Sequence, residues 1–179
     1  DGELWLSYAH ETTAYRNSVG YFTFDPTNPP TSVADINVRT VAFPNASYRN
    51  SGGSMSSGHR VYLGDFKKGT GVGWFLVPNG YNFRTRSVNE SAATRYSIDE
   101  LNTFSEDPYR RHMVLLTNNE AEYFVLGIED RNRPAGDSDF NDVIMIVEAN
   151  PWGAVDVATP TPEPVPADQD GDGVIDVND

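Results

Sequence analysis

Residues 127–148 read GIEDRNRPAGDSDFNDVIMIVE and place Glu129, Asp130, Asp137, Asp139, Asn141 and Asp142 within fourteen positions. Five carboxylates and an amide are hard oxygen donors, the set that suits calcium rather than a transition metal. Two bases, Arg131 and Arg133, share the stretch. Surface ion pairs to them would be worth under about 1 kcal/mol each, and two cations do not balance six oxygen-bearing side chains. Left alone, Asp137, Asp139 and Asp142 would repel one another, so the cluster calls for a bound cation.

Counted from Asp137, acids or amides stand at positions 1, 3 and 5, and Glu148 at position 12, as in an EF-hand loop. Position 6 is Asp142 where that loop requires glycine. The run Val143-Ile144-Met145-Ile146-Val147 is β-branched and apolar and reads as a strand. Six residues of strand carry Glu148 about 20 Å from Asp142, far beyond a calcium–oxygen distance of about 2.4 Å. Glu148 therefore cannot close the loop. The missing ligands are expected from the end of the preceding strand, at Glu129 or Asp130, or from the first loop, where Glu11 and Asn17 are candidates.

A second acidic constellation ends the chain. Asp168, Asp170 and Asp172 occupy positions 1, 3 and 5 of a calcium loop, and Gly173 supplies the sharp turn. Val174 offers a carbonyl at position 7, and Asp176 and Asp179 stand at 9 and 12. Between the two constellations TPTPEPVP, residues 159–166, reads as an extended polyproline-II spacer.

The elements that must position these groups are short. The chain has 179 residues with 9 Tyr, 9 Phe and 3 Trp, and it is rich in turn formers, a balance that favours strands over helices. Strands are expected at 4–8, 19–24, 38–43, 61–66, 71–77, 111–117, 122–128 and 143–147. A hairpin is expected at Asn118-Asn119, and Gly71 and Gly73 would admit a close neighbouring backbone. Residues 96–102 (YSIDELN) suit either a loop or one helical turn with Ser97 as cap. Eight or more strands without a long amphipathic helix predict an all-β fold, an antiparallel β-sandwich of jelly-roll type over residues 1–150. A Pro-rich linker over 151–167 and the calcium loop over 168–179 complete the expected organisation.

Charge and composition exclude several classes. The net charge of −13 argues against nucleic acid. Seven acids and no Lys or Arg fall in residues 151–179, while residues 1–150 hold the other 19 acids and all 13 bases. There is no Cys, which rules out a disulfide framework and a thiolate metal site. No apolar run approaches the roughly 20 residues of a membrane-spanning helix. Asp rather than Met at position 1 suggests a processed or truncated chain, as after signal removal. His10, His59 and His112 are scattered without paired spacing and read as satisfied or exposed side chains. Trp5, Trp74, Tyr81, Tyr109 and Trp152 could stack a sugar, with core packing favoured for Trp74.

Several segments together carry a resemblance. Tyr15-Arg16-Asn17-Ser18-Val19-Gly20-Tyr21-Phe22 comes first, then Gly64-Asp65-Phe66 and residues 69–75. Tyr96-Ser97 and Leu101-Asn102 follow, then Gly127-Ile128-Glu129-Asp130 and Ser138-Asp139-Phe140-Asn141-Asp142-Val143. In this order they resemble a bacterial domain of unknown function grouped with the LruC-type domains, whose signature is G-[FI]-E-D followed by S-D-x-D-[FY]-N-D. Here SDFND lacks the extra residue between two acids. The resemblance covers about residues 1–150 and implies a β-rich module of secreted and surface proteins, with no activity attached. The tail resembles a thrombospondin type-3 calcium repeat.

The expectation is a calcium-binding extracellular module of the cell surface, acting in adhesion, in binding a glycan or a surface protein, or in surface assembly. A structural subunit of an extracellular polymer is the alternative, since self-assembly fits the same features. A glycan-acting hydrolase pairing Glu129 with Asp137 or Asp139 is a further one, disfavoured because the acids crowd one loop rather than facing each other across a cleft.

Overall fold

In the computed structural model, residues 1–89 and 93–155 are described. The Pro-rich stretch 159–166 and the acidic residues 168–179 lie outside them. Among the described residues there are eleven strands: β1 (Gly2–Glu11), β2 (Ser18–Phe24), β3 (Arg39–Phe43), β4 (Arg60–Phe66), β5 (Gly71–Val77), β6 (Tyr81–Asn82), β7 (Ser87–Val88), β8 (Arg95–Tyr96), β9 (Met113–Asn118), β10 (Tyr123–Ile128) and β11 (Val143–Asn150). Two antiparallel sheets form the sandwich, in the orders β4-β1-β11-β10-β9 and β3-β2-β5-β8. β6 and β7 make a small separate hairpin.

Period-two alternation decides what faces inward. Leu4, Leu6 and Tyr8 of β1 join Phe124, Leu126 and Ile128 of β10 and Val143, Met145 and Val147 of β11. They meet Val19 of β2 and Trp74 and Leu76 of β5, so Trp74 is a core residue, 5% exposed. The opposite face of the smaller sheet buries Phe22, Phe75 and Val77 with Tyr96 and Leu101.

Gly73 stands directly opposite Phe22, where a Cβ would lie 2.2 Å from the Phe22 ring. The close neighbour there is an aromatic ring rather than a backbone. The segment around residue 100 is a single 3-10 turn over Asp99–Leu101. Ser97 does not cap it, because its Oγ accepts the Trp74 amide at 2.9 Å and so extends the β5–β8 pairing. The hairpin joins β9 to β10, with Asn118 inside the strand and its side chain accepting the Ala121 amide. Past Asn150, a 3-10 turn over Trp152–Ala154 sets Trp152 against Phe124, ring centroids 4.6 Å apart. The packed unit thus runs on to Val155, into the stretch expected to be linker.

Candidate cation site

β10 ends at Ile128, and the next residue, Glu129, turns into the protein. It is held from behind by His112: the Glu129 amide donates to the His112 carbonyl at 2.9 Å, and His112 Nδ1 donates to the Glu129 carbonyl at 3.3 Å. Ser105 Oγ meets Nε2 at 3.4 Å. Burial, with Arg95 nearby, pushes His112 down to about 4, so the ring is neutral at physiological pH. The Glu129 side chain is wholly buried, and although the Asp142 carboxyl and the Arg131 amide approach it, neither carboxylate oxygen closes a hydrogen bond of good geometry. A buried, unpaired carboxylate is costly unless it is protonated or meets a cation. Burial raises the Glu129 pKa accordingly.

Two exposed carboxylates close on Glu129. Glu129, Asp137 and Asp139 each offer an oxygen within 4.8 Å of the others. Two oxygens each about 2.4 Å from one ion can be no more than about 4.8 Å apart, so all three carboxylates are close enough to share one calcium. The loop reaches this geometry through two residues in the left-handed region, Ser138 (φ +61) and Phe140 (φ +58), on either side of Asp139. Each costs on the order of 1–2 kcal/mol for a residue with a Cβ. Gly136 lies so close that a Cβ there would sit 2.3 Å from Glu129 Oε1. The Phe140 carbonyl backs onto Gly127, where a Cβ would approach it to 2.6 Å.

The other predicted ligands brace this set. Asn141 donates through its amide N–H to Asp139 Oδ1 at 3.1 Å and through Nδ2 to Oδ2, and it accepts from Thr12 Oγ1. Asp142 Oδ2 accepts the Asp130 amide at 2.8 Å. Burial, with the Asp130 and Glu129 carboxylates close by, lifts Asp142 to about 7. Asp130 is buried and accepts from Asn17 Nδ2 at 2.7 Å, while Asn17 Oδ1 accepts the Asn79 amide. Asn17 of the first loop therefore does reach this stretch, as a brace for Asp130. Glu11 accepts the Tyr48 amide at 3.0 Å and stands outside the carboxylate trio. Glu148 sits towards the far end of β11, where Arg60 Nε lies 3.2 Å from Oε2.

The arginines of the loop leave the trio unneutralised. Among the described residues the ion pairs are Arg60–Glu148, Arg110–Asp107 and Arg111–Asp99. Arg133 donates instead to Ser138 Oγ and the Arg111 carbonyl, with its guanidinium 5.1 Å from the Phe140 ring centroid. Arg95, which no sequence pattern marks, is buried behind the site. It donates to Asn132 Oδ1 and the Ala93 carbonyl at 2.7 Å and lies over Phe104 at 4.3 Å. Burial lowers its pKa, and the Asp130 and Glu129 charges oppose that shift. Of the three histidines, none joins the trio.

Residues 66–150 match the family model of a domain of unknown function, DUF4114. The match contains the whole acidic loop and β5 to β11, and leaves β1 to β3 outside. No curated protein and no solved structure matches the chain.

Proposed function

We propose that this chain is a calcium-binding extracellular module of a bacterial surface or secreted protein, in which the loop cation fixes a β-sandwich scaffold used in adhesion, in glycan or protein binding, or in surface assembly. One observation carries the calcium reading: the fully buried Glu129 carboxylate has both oxygens unpartnered and faces Asp137 and Asp139. The three acids crowd one loop and the end of the strand before it rather than facing each other across a cleft, which favours chelation over a catalytic pair. The finer resemblance to LruC-type domains, and of residues 168–179 to a thrombospondin type-3 repeat, supports a secreted, calcium-rich setting.

A cation bound only by the folded state stabilises it by about 2.7 kcal/mol at a hundredfold excess over Kd. At about 2–4 °C per kcal/mol for a domain of this size, Tm should rise by about 5–10 °C when calcium replaces EGTA in differential scanning calorimetry. Because residues 168–179 could bind calcium themselves, the decisive comparison is Glu129→Gln in the full chain. That variant should lose the calcium-dependent rise in Tm, and an undiminished rise would exclude the loop site.

A further inference from the structure

β9 forms one edge of the five-stranded sheet. It pairs with β10 from Met113–Ile128 to Asn118–Tyr123 without a register shift, and among the described residues its other side has no backbone partner. Soluble proteins protect such edges with charge, proline, bulges or brevity. The other edges of the two sheets follow that practice. β4 carries Arg60 and Asp65 and a register shift against β1, β3 carries Arg39 and a register shift against β2, and β8 has two residues. β9 reads MVLLTN, with none of these devices. Leu116 on its outer face is 61% exposed, and Leu115, on the inner face, is 38% exposed. Beneath Leu115 an apolar groove runs on to Val72, Trp74 and Met113.

We infer that β9 pairs antiparallel with β9 of a second copy of this chain, joining two five-stranded sheets across a twofold axis. Directly opposed residues of an antiparallel pair point to the same face, so the axis must pass a residue rather than a gap. Placed at Leu115, it sets Leu115 against its own counterpart and Val114 against Leu116, apolar on apolar. Placed at Leu116, it would set Leu115 against Thr117 and Val114 against Asn118. Charge complements the pairing in either register, Arg110 facing Glu120 about Leu115 and Glu122 about Leu116. Arg110 and Arg111 precede the strand, and Glu120 and Glu122 follow it. Antiparallel self-pairing about Leu115 brings the arginine end of each copy alongside the Asn119-Glu120 end of the other. Arg111 reaches Asp99 with a side chain still 62% exposed, so it remains open to a partner. The same complementarity repeats on both sides of the axis, as an isologous interface requires. It identifies the occupant as a second copy rather than an unrelated strand. The inference is independent of the cation site.

Cysteine cross-linking of the full chain reads the register directly, because the chain has no cysteine of its own. Opposed residues have Cα atoms about 4.5–5.5 Å apart, within the disulfide range of about 4.4–6.8 Å. Leu115→Cys should therefore give a covalent dimer on mild oxidation. Leu116→Cys should not, since two Leu116 positions would lie about 8 Å apart, offset by two residues along paired strands. Sedimentation velocity at micromolar to millimolar concentration should show a reversible wild-type dimer that Leu116→Lys converts to monomer. A circular dichroism spectrum matching the wild type, with the melting temperature of wild type diluted to monomer, would exclude misfolding of Leu116→Lys as the cause. A wild-type chain monomeric throughout that range would overturn the pairing. So would a dimer that survives Leu116→Lys, or stronger cross-linking at residue 116 than at 115.

Discussion

At the scale of single residues, the chemistry turns on which carboxylates are left without partners. Asp130 is solvated by protein through Asn17, and Asp139 takes two bonds from Asn141. Glu129 has none, so it is the group a cation would relieve most. Gly136→Ala should push the Glu129 carboxylate out of position, because the added Cβ would meet Oε1 at 2.3 Å. Isothermal titration should then show calcium affinity at this site weakened by on the order of tenfold, equivalent to about 1.4 kcal/mol.

The proton inventory gives a second prediction. Asp142 is raised from 3.8 in the unfolded chain to about 7 in the fold. The fold therefore binds this proton more tightly than the unfolded chain does. That stability is present below about pH 4 and is lost as pH rises towards 7. His112 acts in the opposite sense, with a folded value of about 4 against 6.5 unfolded, so its contribution is present above pH 6.5 and is lost on acidification. A comparison with Asp142→Asn cancels the histidine. In EGTA, urea titrations from pH 4 to pH 7 should show the variant gaining stability relative to wild type as pH rises. A difference independent of pH would refute the assignment.

At the scale of elements, the loop between β10 and β11 is set by close backbone approach. Gly127 pairs with Ile144 in β11 and with Val114 in β9, and the Phe140 carbonyl sits over it. Gly127→Ala should cost about 1–3 kcal/mol, the usual range for an overpacked core. It should also weaken calcium binding, because Phe140 adjoins Asp139. Chemical denaturation with and without calcium separates the two effects.

The longer strands were largely legible, since apolar β-formers over residues 19–24, 71–77 and 122–128 are bounded by turn residues, and the continuous run at 71–77 is buried on both faces. The fate of Ser97 was not. A capping-box spacing and a strand extension place the same side chain, and only the Trp74 amide, twenty-three residues away in sequence, decided between them.

At the scale of the whole molecule, the sandwich closes at both ends of the described chain. β1 lies between β4 and β11, and Trp152 covers Phe124. The family match omits β1 to β3, yet β1 supplies Leu4, Leu6 and Tyr8 to the core, and β2 belongs to the opposite sheet. Trp152→Ala should destabilise the domain by about 2–4 kcal/mol, at or below the range for a fully buried tryptophan because this one is only half-buried. Urea denaturation would measure it. A loss under about 0.5 kcal/mol, the level of an ordinary surface substitution, would show that the fold ends before Pro151.

By itself the sequence determined the fold class, the positions of the eight longer strands and the concentration of hard oxygen donors in 129–142, while the two-residue strands β6, β7 and β8 carried no pattern of their own. It also excluded Glu148 from the loop. All of these follow from local periodicity and from distance along a strand, which neighbours in sequence fix. The tertiary structure alone decided which donors converge. Asp130 and Asp142 carry the same side chain as Asp137 and Asp139, yet one is taken by Asn17 and the other by a backbone amide. The division depends on contacts with the first loop, more than a hundred residues away. It also depends on two left-handed residues whose conformations no local propensity sets. The set that converges, the buried Glu129 with Asp137 and Asp139 beside it, is a property of the packed protein rather than of the acidic run.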